Sequence, residues 1–158
     1  MKVTIDTFEK TYNKYKNTVY SVIFNYVRNV DDASDLTQDV FLKLLDTATE
    51  FESDEHLKAW LIKVAMNSSK NHLRFVSKFS DEEIPEVPSP EETFENADLV
   101  RAMMTLPEKY RLPLHLFYYE DYTIKQIGDM LESPEATIKI RLKRGREKLR
   151  KLLDGMVE

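Results

Sequence analysis

Residues 79–90 break the chain with three prolines and a dense run of acids, reading SDEEIPEVPSP from Ser80. Proline removes a backbone donor and its ring clashes with the preceding turn, so no regular helix crosses such a stretch. The chain must therefore fold as two separate pieces, a unit near 1–78 and a unit near 91–158, tethered by a linker over 79–90. Each piece is small, so each core is expected to be modest.

Both pieces read as helical. The sequence has only 3 Gly, and no strand-like alternation of apolar and polar residues appears. In the first piece Phe8, Tyr12, Tyr15, Val19 and Val22–Ile23 recur at helical spacing. Asp31 or Asp32 can cap a second helix whose apolar stripe is Leu36, Val40, Phe41 and Leu44–Leu45. Ser53 can cap a third, with Leu57, Trp60–Leu61, Val64, Ser68 and Leu73 along one side. In the second piece Ser89-Pro90-Glu91-Glu92 and Ser133-Pro134-Glu135 read as helix starts. Leu106-Pro107-Glu108 is another start, and Pro113 lies inside that helix. Thr123 with Gln126 forms a capping box. Gly155 suits a C-terminal stop. The expected fold is all-α: two small helical domains joined by a flexible acidic linker.

Net charge is −5, which alone argues against a nucleic-acid partner, but its distribution reverses that. Residues 61–79 carry four cations and no anions, residues 80–100 eight anions and no cations, and residues 137–158 eight cations against three anions. Two basic segments thus flank an acidic spacer, and each could neutralise phosphate. The competing reading is solvated helix faces.

Several function classes fall away. Cys is absent, which excludes a disulfide framework, a thiolate metal site and a cysteine nucleophile. His56, His72 and His115 show no ligand spacing, and no catalytic constellation or glycine-rich phosphate loop is present. No metal, cofactor or catalytic residue is expected. The opening MKVTIDTFEKTYNKY lacks an apolar h-region, and no run of about 18 apolar residues occurs. The expectation is a cytoplasmic protein without membrane insertion.

The segments 124–131 and 134–153 form a short helix, a tight turn and a long helix, the layout of a helix-turn-helix (winged-helix-like) domain. Ile138, Leu142, Gly145, Leu149 and Leu152 make one buried stripe of the long helix. Lys139, Ile140, Lys143, Arg144 and Arg146 then point elsewhere, and an exposed Ile140 among cations can touch a thymine methyl. A basic amphipathic helix for protein or membrane contact is the rival. In the first piece Asn67, Ser68, Ser69, Lys70 and Asn71 lie among Lys63, Arg74 and Lys78. Cations and amides so placed can hold a single strand, though polar filler on a solvated helix reads equally well. Trp60 fits core better than a stacking platform.

With these segments in view the chain resembles a sigma-70-family transcription initiation factor of the extracytoplasmic-function (group IV) type. Asp32-Ala33-Ser34-Asp35-Leu36-Thr37-Gln38-Asp39-Val40-Phe41-Leu42-Lys43-Leu44-Leu45 is similar to the family's core-polymerase-binding helix. Lys58-Ala59-Trp60-Leu61 through Asn67 and Leu73-Arg74 is similar to its promoter-melting and −10 segment. Leu106-Pro107-Glu108-Lys109-Tyr110-Arg111, then Tyr122 to Arg150, is similar to its −35-binding domain. The resemblance implies that 1–78 is sigma region 2 and 91–158 sigma region 4. It implies a non-catalytic alternative sigma factor that binds core RNA polymerase and selects promoters. A conventional helix-turn-helix regulator on duplex operators and a helical interaction module that binds no DNA are the alternatives.

The same resemblance distributes roles. Asp35, Leu36, Gln38, Asp39, Phe41 and Leu42 would meet core polymerase, with one of Phe41 and Leu42 expected in the core instead. Lys63, Asn67, Ser68, Lys70, Asn71 and Arg74 would hold the single-stranded −10 element. Lys139, Ile140 and Lys143 would read the duplex −35 element, while Thr137, Arg141 and Arg144 hold phosphates. An anti-sigma factor is the expected further partner. The acidic linker would thread polymerase channels or, in the free protein, mask the basic helices. Departures from the family pattern are Glu132, where the turn often carries Gly, with Ala136, Ile140 and Asn71, where Gly, a small residue and Asp are frequent.

Overall fold

The computed structural model describes residues 2–77 and 97–157, and every regular element among them is a helix. The linker and the start at Ser89 lie outside these residues. The chain divides into two compact units, Met1–Ile84 and Pro85–Glu158.

The first unit packs α1 (Ile5–Val27), α2 (Val30–Asp46) and α3 (Asp54–Ser77) against one another. Val19, Val22, Ile23, Val40, Leu61, Ile62 and Ala65 are fully buried at their junction. Ser53 caps α3, its hydroxyl accepting from the His56 N–H at 3.1 Å. The cap of α2 differs from expectation. Asn29 takes it, accepting from the Asp32 N–H at 2.8 Å. The helix starts earlier than the acids suggested, so Asp31 and Asp32 sit in its first turn, where carboxylates favour the helix dipole. Lys14 reaches across from α1 to Asp54 at 3.3 Å, and that hydrogen bond, with Tyr15 beside it, raises the ammonium pKa.

The second unit contains α4 (Ala97–Thr105), α5 (Glu108–Tyr118), α6 (Ile124–Met130) and α7 (Glu135–Val157). Arg111 is buried at 3% exposure and donates to the Leu106 carbonyl, tying the first turn of α5 to the α4–α5 corner. Pro113 is accommodated within α5. Gly145 lets α5 and α7 touch: a Cβ there would stand 2.9 Å from Leu114 Cδ1 and 3.3 Å from Tyr110 Cβ. Gly155 does not stop α7. It is helical and the helix continues to Val157. The Ser133 hydroxyl likewise does not cap α7 but donates to the Leu131 carbonyl at 3.2 Å. No strand stands beside the helix-turn-helix among the described residues, so any likeness to winged helices rests on the helices alone.

The turn between α6 and α7 has an identifiable geometry. The Ser133 N–H donates to the Gly128 carbonyl at 2.8 Å and the Glu132 N–H to the Asp129 carbonyl at 3.4 Å. These are the paired bonds of a Schellman motif, whose central residue adopts the left-handed conformation. Glu132 occupies it with φ 52. A residue with a Cβ costs about 1–2 kcal/mol there. Glu132→Gly is therefore expected to raise the stability of the second unit by up to about 1 kcal/mol, after the greater chain entropy of Gly is deducted. Urea unfolding followed by circular dichroism reads this, and a loss of stability would contradict it.

Candidate nucleic-acid and polymerase interface

In the first unit the helix period sorts the predicted residues. Lys63, Asn67, Lys70 and Arg74 fall at i, i+4, i+7 and i+11 of α3, and all are exposed. They form one continuous cationic and amide stripe. Ser68 is not part of it. It is buried at 8% exposure, and its hydroxyl accepts from Lys43 Nζ of α2 at 3.1 Å. Its contact to the strand is corrected to a contact between helices. Ser69 is also buried, donating to the Ala65 carbonyl at 2.7 Å. Trp60 is half-buried, edge-on to the core ring of Phe51 with centroids 5.6 Å apart.

On α2, Asp35, Gln38, Asp39 and Leu42 are exposed and Leu36 is half-buried. Phe41 departs from the expected polymerase face. It is 2% exposed and packs against Tyr12 and Phe8 of α1, with centroids 4.9 and 6.2 Å away. Leu42, one residue on and a third of a turn round, is 59% exposed. Of this adjacent pair, Phe41 is the core member.

The two residue sets meet. Leu36, Asp39, Leu42, Lys43 and Asp46 of α2 face Ser68, Asn71, His72 and Phe75 of α3 across a groove of about 620 Å³. His72 Nε2 lies 3.2 Å from Asp32 Oδ2 beside it, joining the helices. Asn71 is exposed where the groove borders the stripe, so it belongs to both surfaces.

In the second unit Thr123 and Gln126 exchange the bonds of a capping box at 3.1 and 2.9 Å, fixing the start of α6. Gly128 is the seat of the turn. A Cβ on it would come within 2.8 Å of the Ser133 carbonyl oxygen. Ile138 and Leu142 are buried, Gly145 lies under α5, and Leu149 and Leu152 are half-buried. Lys139, Ile140 and Lys143 then stand on the outer face, with Ile140 49% exposed. Thr137, Arg141 and Arg144 lie on the flank toward the start of α5. They line a cleft of about 180 Å³ with Ile140, Lys109 and Tyr110. Lys109 is given no role by the sequence reading. It lies 26 positions before the start of the long helix at Glu135, and only packing of α5 on α7 brings the two together.

No group of His, Asp or Glu among the described residues could hold a metal ion. No helix among them is long and apolar enough to cross a membrane. A helix-turn-helix with a cationic reading helix, preceded by a helical unit bearing a cationic amide stripe, defines a DNA-binding transcription factor. Comparison with known proteins specifies which. The Sigma-70 region 2 model matches residues 11–78 and the Sigma-70, region 4 model residues 102–151. The chain belongs to the sigma-70 family, and it is an alternative sigma factor, a regulatory initiation factor that directs RNA polymerase to promoters. It is similar to the ECF RNA polymerase sigma factor SigW of Bacillus subtilis (strain 168), 26% identical over 94% of this chain and 89% of that one. It is also similar to RNA polymerase sigma factor SigV of the same organism, 29% identical over 86% and 84%. The fold matches the sigma factor RpoE from Bartonella quintana, solved with the anti-sigma factor NepR, at a TM-score of 0.77 and 22% identity over 95% of this chain and 98% of that one.

Proposed function

We propose that the first unit is the module that docks on core polymerase and holds the −10 strand, and the second the module that reads the −35 duplex. Asp35, Leu36, Gln38, Asp39 and Leu42 present a mixed acidic and apolar face of α2 to the polymerase. Lys63, Asn67, Lys70 and Arg74 track the backbone of the opened strand, and Asn71 accepts a base turned out of the stack. Extruding a base costs a few kcal/mol, which contacts along the stripe and to the polymerase offset. Binding to isolated duplex is correspondingly weak. Lys139, Ile140 and Lys143 read base edges of the −35 element while Thr137, Arg141 and Arg144 hold its phosphates. The protein works in the cytoplasm and performs no chemistry of its own. An anti-sigma factor covers these faces when the factor is silent.

The observation that carries this reading is the sorting of α3 and α7. In both helices the predicted polar residues fall on an outer surface, with Ser68 the exception, and most apolar ones turn inward, while Phe75 and Ile140 stand out among the polar residues. Run-off transcription with core polymerase on genomic fragments tests it, together with a pull-down of the polymerase. The wild-type chain is expected to initiate at discrete sites. Asp39→Lys is expected to weaken polymerase capture about tenfold or more, the effect of a charge reversal worth at least about 1.4 kcal/mol at an interface. Duplex binding with no polymerase capture would overturn the assignment.

A further inference from the structure

Tyr110 is buried at 6% exposure, yet its ring has two ammonium groups near it. Lys109 Nζ lies 5.1 Å from the ring centroid and Lys148 Nζ 5.8 Å. Both are within the range at which a ring face attracts a cation. The ring is held where it is by the close approach of α5 and α7 at Gly145, whose built Cβ would meet Tyr110 Cβ at 3.3 Å. Arg141, Arg144 and Lys148 follow at i, i+3 and i+7 along one flank of α7, and Lys109 faces that flank from α5. No carboxylate is among the residues lining the cleft between them.

A cleft lined by three cations with no anion is a seat for an oxyanion. It lies beside the outer face that carries Lys139 and Lys143, not on it. When α7 enters a major groove, one DNA strand must run along such a flank. We propose that Lys109 and Lys148 are additional phosphate-binding residues. Steered by the Tyr110 ring, they extend the grip of Arg141 and Arg144 along one strand bordering the −35 element. The contact from Lys109 comes from outside the helix-turn-helix, so it fixes the angle at which α7 lies in the groove and the register in which Ile140 meets its base. This rests on the reading of α7 as the −35 helix.

The test uses holoenzyme assembled from core polymerase and the full chain, with affinity for a promoter duplex measured across a series of salt concentrations. Lys109→Gln and Lys148→Gln are each expected to lower affinity roughly three- to tenfold. Each should reduce the slope of log affinity against log salt by about 0.9, for every −35 sequence alike. Arg101→Gln, an exposed cation on α4, should leave both unchanged. Single methylphosphonates placed along the strands should then find a phosphate whose neutralisation weakens the wild type but not Lys109→Gln. If wild-type holoenzyme shows −35 preference while both variants keep the full salt slope, the proposal is wrong and the −35 reading stands. If wild type shows no −35 preference, both fall.

Discussion

Phe41→Ala should destabilise the first unit by about 3–5 kcal/mol, the cost of removing a buried aromatic side chain and leaving its cavity. The ring is closed in by Tyr12 and Phe8 and is 2% exposed, so little can collapse into the space. Leu42→Ala, its immediate neighbour, should change stability by less than about 0.5 kcal/mol because the side chain already stands in solvent. The functional outcome is expected to run the other way. Leu42→Ala should weaken polymerase capture by about tenfold, in the manner of an apolar interface anchor, with its unfolding curve unmoved. Urea unfolding of the full chain, followed at far-ultraviolet wavelengths, reads the first quantity. Each unit is compact in itself, so the variant is expected to shift the transition of the first unit and leave that of the second in place. A Phe41→Ala curve superimposing on wild type would return Phe41 to the contact surface.

Lys143→Ala should cost about 1–3 kcal/mol of promoter binding and relax discrimination at one −35 position. Arg144→Ala should weaken every promoter alike and lower the salt slope by about 0.9. The two side chains are adjacent in sequence, but one stands on the outer face of α7 and the other lines the cleft beside Tyr110. Binding of holoenzyme to a set of singly mutated −35 duplexes, repeated at two salt concentrations, separates the roles. Uniform loss for Lys143→Ala, or selective loss for Arg144→Ala, would reverse the assignment.

Local chemistry made much of this architecture readable. Ser53 and Thr123 cap the helices their hydroxyls suggested, because a cap is decided within a few residues. The buried stripe of α7 followed from periodicity at Ile138, Leu142 and Gly145, whereas Leu149 and Leu152 are only half-buried. What resisted reading depends on neighbours distant along the chain. Phe41 and Leu42 are both apolar residues of one helix, and only α1 packing on α2 decides which is covered. Ser68 looked like part of a polar strand-binding run, but Lys43 of α2 claims its hydroxyl. Asn29 displaced the aspartates as a cap because the chain turns into the helix sooner than its charges imply. Lys109 carries no signal of its own, since its place beside α7 is created by the Gly145 contact. Glu132 is the reverse case. The departure from Gly was visible in the sequence, and its backbone angle gives that departure a physical cost.

On the roles proposed above, the wall shared by α2 and α3 would tie recruitment to strand capture. Asp39 and Leu42 form one side of it and Asn71 the other, so their substitutions would be pleiotropic. A change that strengthens enzyme loading would also reshape the surroundings of the residue proposed to receive the extruded base. Drift in promoter preference and drift in competition for the polymerase would then be correlated traits, selected together.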